Sequence, residues 1–151
     1  MLYTIGHSNH PIDRFIGLLS GAGIEALYDV RSKPFSRFSP QFNQKALAKS
    51  LQAAGIAYVW MGDSLGGRPD DPCCYVDGKL SYDLQAKTPL FQSGLSRLRT
   101  DSGILKIAVM CAEKNPMDCH RKNSIAKNLP DIDVVHILAD GTLEPQERLL
   151  L

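Results

Sequence analysis

The sequence lacks any hydrophobic run that approaches the roughly 18 apolar residues of a membrane-spanning helix. Its first residues, Met1 to Ile5, have no basic region ahead of the apolar ones, which indicates a first β-strand rather than a signal peptide. Four cysteines without a secretory signal favour reduced thiols. We therefore expect a cytoplasmic protein that does not contact membranes.

A marked excess of charge is also missing, since 17 Lys and Arg residues face 16 Asp and Glu residues. This balance does not predict a general polyanion-binding surface, although it is compatible with a local cationic pocket. Nucleic acid is thus a possible partner that the net charge does not support. Repeats and linkers are absent, so residues 1–151 are expected to form a single domain. Nothing in the sequence indicates an oligomeric state.

Short apolar runs alternate with stretches of helical period. The predicted strands are Leu2–Ile5, Ala26–Val30, Ala57–Met61, Leu105–Met110 and Val134–Leu138. The predicted helices are Pro11–Leu19, with Asn9 as its cap, Gln44–Ala54, Leu90–Leu98 and Cys119–Leu129. This alternation predicts one α/β domain with a mainly parallel five-stranded sheet flanked by helices. Ligands of such sheets bind at the carboxyl ends of the strands, where we expect the site.

Polar residues follow four of the predicted strands. Those expected to form the site after these strands are His7 and Ser8, then Asp29 and Arg31, then Gly66, Gly67 and Arg68, and finally Cys111 and Glu113. The Gly66-Gly67 pair is interpreted as a flexible turn, because it lacks the full phosphate-loop pattern. The long segment that holds it, Gly62 to Lys79, has little periodicity, and loops of this length are often functional.

These segments resemble the bacterial family catalogued as domain of unknown function 488. The matching segments are Thr4 to Ser8, Asp29 to Arg31 with Pro34 and Ser36, Leu65 to Arg68, Met110 to Glu113 through Cys119 to Arg121, and Val135 to Ile137. They span nearly the whole chain in the family's order. The resemblance implies a compact α/β fold and a shared polar site. It supplies no reaction, so the chemistry must be inferred from the residues.

Four residues are candidates for catalysis. His7 is expected to be an acid–base group, with Glu113 as a second carboxylate. Cys111 or Cys119 is the candidate nucleophile. Cys119 falls at the start of a predicted helix, where free N–H groups and the dipole lower a thiol pKa. Cys111 ends a buried strand, where a thiol is often a small core hydrophobe. A pairing between His7 and the Ser8 hydroxyl would require a turn.

Arginines from three separate loops suggest an anion clamp. Arg31, Arg68 and Arg121 offer guanidinium forks that fit carboxylate or phosphate. The other expected substrate-binding residues are Ser8, Asp29, Ser36, Gly66, Gly67 and His120. The alternative is local pairing, above all between Arg31 and Asp29, which share one face of an extended segment.

Aromatic and basic residues interleave just beyond the second strand. Phe35, Arg37, Phe38 and Phe42 stand close together in an irregular stretch. Such side chains can stack on nucleobases, or the aromatic rings can anchor the loop to the core. His136, between two apolar residues, is interpreted as a core histidine with satisfied hydrogen bonds.

The favoured hypothesis is a small hydrolase or transferase that acts on an anionic small molecule, phosphorylated or nucleotide-like, without a cofactor. One alternative is a non-catalytic module that binds a nucleotide or a nucleic-acid end. Another is a zinc-dependent hydrolase with Cys111, Cys119, His120 and His7 as ligands. No metal site is predicted, because the sequence has no Cys-x-x-Cys pair of the usual kind.

Overall fold

The computed structural model describes residues 1–112 and 120–146, with only the backbone described at residues 120–123. Its strands are β1 (Leu2–Gly6), β2 (Ala26–Asp29), β3 (Ala57–Trp60), β4 (Tyr75–Val76), β5 (Lys79–Leu80), β6 (Ile107–Cys111), β7 (Val134–Ile137) and β8 (Leu143–Pro145). Six of them form one sheet in the order β3-β2-β6-β1-β7-β8. All pairs are parallel except β7 with β8. The mainly parallel sheet is confirmed, with a sixth strand, β8, that is too short and exposed to show a pattern.

The helices are α1 (Ile12–Gly21), α2 (Gln44–Ala53), α3 (Gly62–Leu65), α4 (Tyr82–Ala86), α5 (Pro89–Ser102) and α6 (His120–Lys127). The predicted Asn9 cap is wrong, because Pro11 occupies the cap position and no side chain caps α1. The segment interpreted as one long loop contains α3, a 3₁₀ turn at Pro72–Cys74 and the small hairpin β4–β5. None of these elements is long enough to produce a periodic pattern of apolar residues in the sequence.

Each face of the sheet packs against its own core. On one face Tyr28 and Val109 pack with Leu95 of α5 and Ile125 of α6. On the other face the apolar strand residues pack with α1 and α2 through Phe15, Leu19, Leu47 and Leu51. Successive strand side chains point to opposite faces, so a strand covered on both sides must be apolar throughout. This is why the parallel strands appear in the sequence as continuous apolar runs.

The strand order creates a topological switch point. From β1 the chain crosses by α1 to β2 on one side, whereas from β6 it crosses by α6 to β7 on the other side. Strand β6 lies between β2 and β1. The neighbouring strands β1 and β6 are therefore followed by connections that run in opposite directions along the sheet. A crevice forms where such connections diverge, outside the carboxyl ends of the strands. His7, Asp29 and Cys111 stand at these three ends. Within the described ranges, no helix has the length and apolar character to cross a membrane.

Candidate functional site

The ring of His7 is buried directly after β1 and is held on two sides. Its backbone N–H donates to the Cys111 carbonyl oxygen at 2.9 Å, which continues the pairing of β1 with β6. The ring stacks on Phe42 with centroids 4.5 Å apart. Its Nδ1 lies 2.6 Å from the carbonyl oxygen of Ser8. Because a carbonyl can only accept, Nδ1 must carry the proton, and Nε2 is left as an acceptor.

The chain turns at Ser8, as a His7–Ser8 pairing requires, but the His7 ring bonds the backbone carbonyl of Ser8 and not its hydroxyl. Its φ of 48° lies in the left-handed region, which non-glycine residues rarely adopt. The His7 ring bonds the Ser8 carbonyl, while the Ser8 hydroxyl lies 3.5 Å from Asn9 Oδ1. Strained backbone of this kind is found at functional sites when the surroundings fix it. The turn therefore orients the imidazole and does not create a His-activated serine.

Arg31 and Asp29 form a buried ion pair with two parallel hydrogen bonds. Nε of Arg31 donates to Oδ1 of Asp29 at 2.9 Å, and Nη2 donates to Oδ2 at 2.8 Å. Asp29 also accepts from the Arg31 backbone N–H and from the Tyr58 hydroxyl. Arg31 therefore pairs locally with Asp29, which was the alternative to an anion clamp. The edge of Arg31 that would grip an anion is occupied by Asp29, with the Phe42 carbonyl accepting a further bond from Nη2.

The remaining nitrogen of the Arg31 guanidinium, Nη1, lies 3.5 Å from Nε2 of His7. Burial, together with the Arg31 charge, lowers the pKa of His7 to about 4 against the opposing effects of the Ser8 carbonyl and Asp29. His7 is consequently neutral at pH 7. The pKa of the Tyr58 hydroxyl is raised by burial and by its bond to Asp29, so Tyr58 stays a proton donor.

These side chains lie on the face of the sheet that α1 and α2 cover. His7 follows Ile5 by two residues, and Asp29 follows Leu27 by two, and both apolar residues belong to that core. Cys111 is buried and follows Val109, which belongs to the opposite core. The alternation of strand side chains therefore places Cys111 on the other face from His7. A direct His7–Cys111 pair does not fit this register.

The turn with Gly66, Gly67 and Arg68 packs against the residue that follows Arg31. The Arg68 backbone N–H donates to Ser32 Oγ at 2.9 Å, and Gln85 donates to the Gly66 carbonyl at 2.6 Å. A Cβ on Gly66 would lie 2.1 Å from Ser32 Oγ. Gly66 is therefore a closely packed position at which no side chain fits. The side chain of Arg68 is exposed.

Several predicted site residues fall outside the described part of the chain. These are Glu113 and Cys119, together with the side chains of His120 and Arg121. Of the predicted cluster, the structure brings together His7, Asp29 and Arg31, with Arg68 nearby through its backbone. Within residues 1–112 and 124–146, no group of three His, Cys, Asp or Glu side chains is arranged to hold a metal ion.

Two residues of the network were not predicted from the sequence. Phe42 stacks on His7, and Tyr58 bonds Asp29. Tyr58 sits on β3 two residues before Trp60, the register partner of Asp29, a relationship that only strand pairing reveals. Ser36, predicted to bind substrate, uses its hydroxyl to accept from the Phe38 backbone N–H. His136 is buried and bonded to Thr4 and Gln146, as expected for a core histidine.

Comparison with known proteins identifies the family. A family model described as Domain of unknown function DUF488 matches residues 11–126, which is most of the chain. No curated protein and no solved structure matches the sequence significantly. The chain therefore belongs to the DUF488 family, whose description assigns no activity.

Proposed function

We propose that this protein is a small enzyme, a hydrolase or transferase, which acts on a phosphorylated or nucleotide-like substrate with His7 as its acid–base group. The observation that carries the proposal is the state of His7. Its ring is buried, fixed by the Ser8 carbonyl and Phe42, and presents an unprotonated Nε2 beside Arg31. A fixed neutral imidazole at the carboxyl edge of a parallel sheet is available to accept a proton at neutral pH, and its lowered pKa makes the imidazolium a strong acid toward a leaving group.

The position of Arg31 suggests how the proton would move. Nε2 would accept a proton from a water or a substrate hydroxyl as its oxygen attacks the substrate. The neighbouring guanidinium disfavours the resulting imidazolium, so His7 would readily pass the proton to the leaving oxygen. Asp29 neutralises Arg31 in part, which keeps this repulsion moderate. The pair thus acts as a positioning and tuning unit for His7.

The anionic part of the substrate would contact cations other than Arg31. The Arg68 side chain is exposed and its backbone N–H bonds Ser32, three residues beyond the end of β2, and Arg121 lies in the first turn of α6, which follows β6. Free N–H groups at a helix start favour a bound anion. Arg68 and Arg121 are therefore the proposed phosphate contacts, with Glu113 and Cys119 as the proposed further groups of the site.

A second candidate, a non-catalytic module that binds a nucleotide or a nucleic-acid end, is favoured by one observation. Among the residues described, neither the Ser8 hydroxyl nor Cys111 is placed to be activated by His7. An enzyme would then need Cys119, water or a substrate hydroxyl as its nucleophile. A binding module would need none. Turnover separates these two functions.

The test is a binding screen of phosphorylated metabolites, nucleotides and short oligonucleotides by thermal shift, followed by turnover assays on each ligand found. His7→Asn retains a donor for the Ser8 carbonyl and removes Nε2. We expect turnover to fall at least about a hundredfold, as when a general base is lost, with binding changed only a few-fold. His10→Asn, three residues away, is the control and should keep activity. Tight binding without any turnover in the wild type would support the binding module.

A further inference from the structure

Charge is strongly segregated along this near-neutral chain. Residues 30–62 contain five Lys and Arg and no Asp or Glu, whereas the rest of the chain holds 12 basic and 16 acidic residues. Of the five, Arg31 is buried and neutralised by Asp29. The other four are exposed: Lys33, Arg37, Lys45 and Lys49. The small net charge therefore conceals one local cationic surface.

Two aromatic rings stand in the same surface. Phe38 is 91% exposed and Phe35 is 69% exposed. Aromatic residues in this loop could serve to anchor it to the core. That explanation applies to Phe42, which is fully buried, and not to Phe35 and Phe38. Phenylalanine has no polar atom that favours contact with water, so two such rings in one short loop indicate a binding partner.

The loop that carries the rings is held in place by hydrogen bonds at several points. The Ser36 backbone N–H donates to Asn43 Oδ1 at 2.7 Å, and the Gln44 N–H donates to the Pro34 carbonyl at 2.9 Å. Gln41 ties the loop to the His10 carbonyl at 2.8 Å. The rings are thus presented by a fixed backbone, which reduces the entropy lost when a partner binds.

We propose that this basic aromatic surface, formed by Lys33, Phe35, Arg37, Phe38, Lys45 and Lys49, binds single-stranded nucleic acid. Phe35 and Phe38 stack on bases, and the four cations contact phosphates. A single strand is favoured over a duplex because stacking on a side chain needs a base whose face is accessible. Exposed cations in a stretch of sequence without Asp or Glu supply the charge complementarity.

A membrane is the less suitable partner for this surface. Membrane-binding helices present a large apolar face to the lipid. The exposed residues of α2 are Gln44, Lys45, Ala46, Lys49, Gln52 and Ala53, which include no large apolar side chain. The apolar contribution is confined to two rings. A nucleic-acid strand alternates bases with phosphates, and the aromatic rings and cations of this surface alternate in the same way.

The surface is directly connected to the His7 site. The loop ends at Phe42, whose ring stacks on His7 and whose carbonyl accepts from Arg31. A strand bound along the loop can therefore reach the carboxyl edge of the sheet. This delivery of a nucleotide to His7 rests on the proposed function, whereas binding of the strand does not.

The test is fluorescence anisotropy with labelled oligodeoxythymidine of about 12 nucleotides, a length within the usual site size for single strands. Phe35→Ala with Phe38→Ala is expected to weaken binding by about tenfold or more, as for the loss of base stacking. Lys33→Gln with Arg37→Gln should weaken binding and make the slope of log affinity against log salt shallower by about 0.7 for each phosphate that the variant no longer neutralises. All four side chains are exposed, so the fold is retained, as thermal melting will verify.

Matched controls lie elsewhere on the surface. Ile104→Ala removes another exposed apolar side chain, and Lys79→Gln removes another exposed cation, and neither should change the affinity. Equal binding to a duplex, preference for phosphatidylserine vesicles, or unchanged affinity of the Phe variants would overturn the proposal. The His7→Asn variant separates strand binding from the proposed function. This variant should bind the strand like the wild type, whether or not the wild type shows turnover.

Discussion

The Nε2 atom of His7 lies 3.5 Å from the Nη1 atom of Arg31, so an unprotonated imidazole nitrogen faces a buried guanidinium. Arg31 is held there by two hydrogen bonds to Asp29, and His7 by the Ser8 carbonyl and the Phe42 ring. Three groups from two strand ends thus form one electrostatic unit. Its chemistry depends on the charge of each member, which leads to the first two predictions.

Acidification should destabilise the wild type through His7. Its folded pKa of about 4 lies below the ordinary value of 6.5, so at intermediate pH the unfolded chain binds a proton that the folded protein does not. This contribution to stability is complete above pH 6.5 and is lost as the pH falls toward 4, by about 3 kcal/mol. Urea unfolding of wild type and His7→Asn across this range measures the difference. Parallel pH profiles for the two proteins would contradict the buried neutral state.

Breaking the Arg31–Asp29 pair should cost far more than breaking a surface pair. Asp29→Asn leaves the Arg31 charge buried without its partner, and we expect a loss of about 3–5 kcal/mol in unfolding free energy. The matched control is Arg99→Gln, which breaks the exposed pair with Asp131 and should cost less than about 1 kcal/mol. Adding Arg31→Met to Asp29→Asn should recover part of the loss. Chemical denaturation of the wild type and these variants tests this, and equal costs for the two pairs would refute it.

Gly62 should tolerate no side chain. A Cβ there would lie 1.9 Å from the Arg31 carbonyl oxygen and 2.5 Å from Trp60 Nε1, which donates to that oxygen. Gly62→Ala is expected to destabilise the protein by about 1–3 kcal/mol, the usual cost of overpacking, and to disturb the His7 site. Gly17→Ala on α1 is the control, since its Cβ would meet nothing within 4 Å, and it should stabilise the protein by about 0.5–1 kcal/mol. Thermal melting of both variants distinguishes them.

Arg121 should contribute to anion binding. Arg121→Ala is expected to weaken binding of the phosphorylated ligands found in the screen by about ten- to a hundredfold, the effect of losing a charge-assisted hydrogen bond. Lys127→Ala, in the last turn of the same helix, is the matched control and should leave binding unchanged. Calorimetric titration gives both constants. If wild type and Arg121→Ala bind every anion equally, the arginine clamp is wrong.

Protein purified without chelators should contain no stoichiometric zinc, because the spacing of Cys111, Cys119 and His120 is unlike that of known zinc sites. Elemental analysis is the measurement. About one zinc per chain, lost in Cys111→Ser or Cys119→Ser, would instead support the zinc-dependent hydrolase. Cys73→Ser, an exposed cysteine in another loop, serves as the control.

The sequence by itself determined the alternation of strands and helices and the family. Apolar runs such as Ile107–Cys111 appear because parallel strands are buried on both faces, a local property of composition. It also placed polar residues after the strands, since the chain must turn there. The hairpin β4–β5 and strand β8 escaped prediction, because two or three residues carry no period.

Only the tertiary structure decided which polar residues work together. The sequence left Arg31 open between an anion clamp and a pair with Asp29, and burial decided for the pair, because a buried guanidinium needs its counter-charge. The sequence also did not decide whether Phe35 and Phe38 anchor the loop to the core or form part of a binding surface. Their exposure in the structure excludes the role of core anchors. Strand register placed Cys111 on the opposite face from His7 and brought Tyr58 to Asp29. His7 and Cys111, like Tyr58 and Asp29, are far apart in the chain, and a one-residue change of strand register would reverse the faces on which their side chains lie.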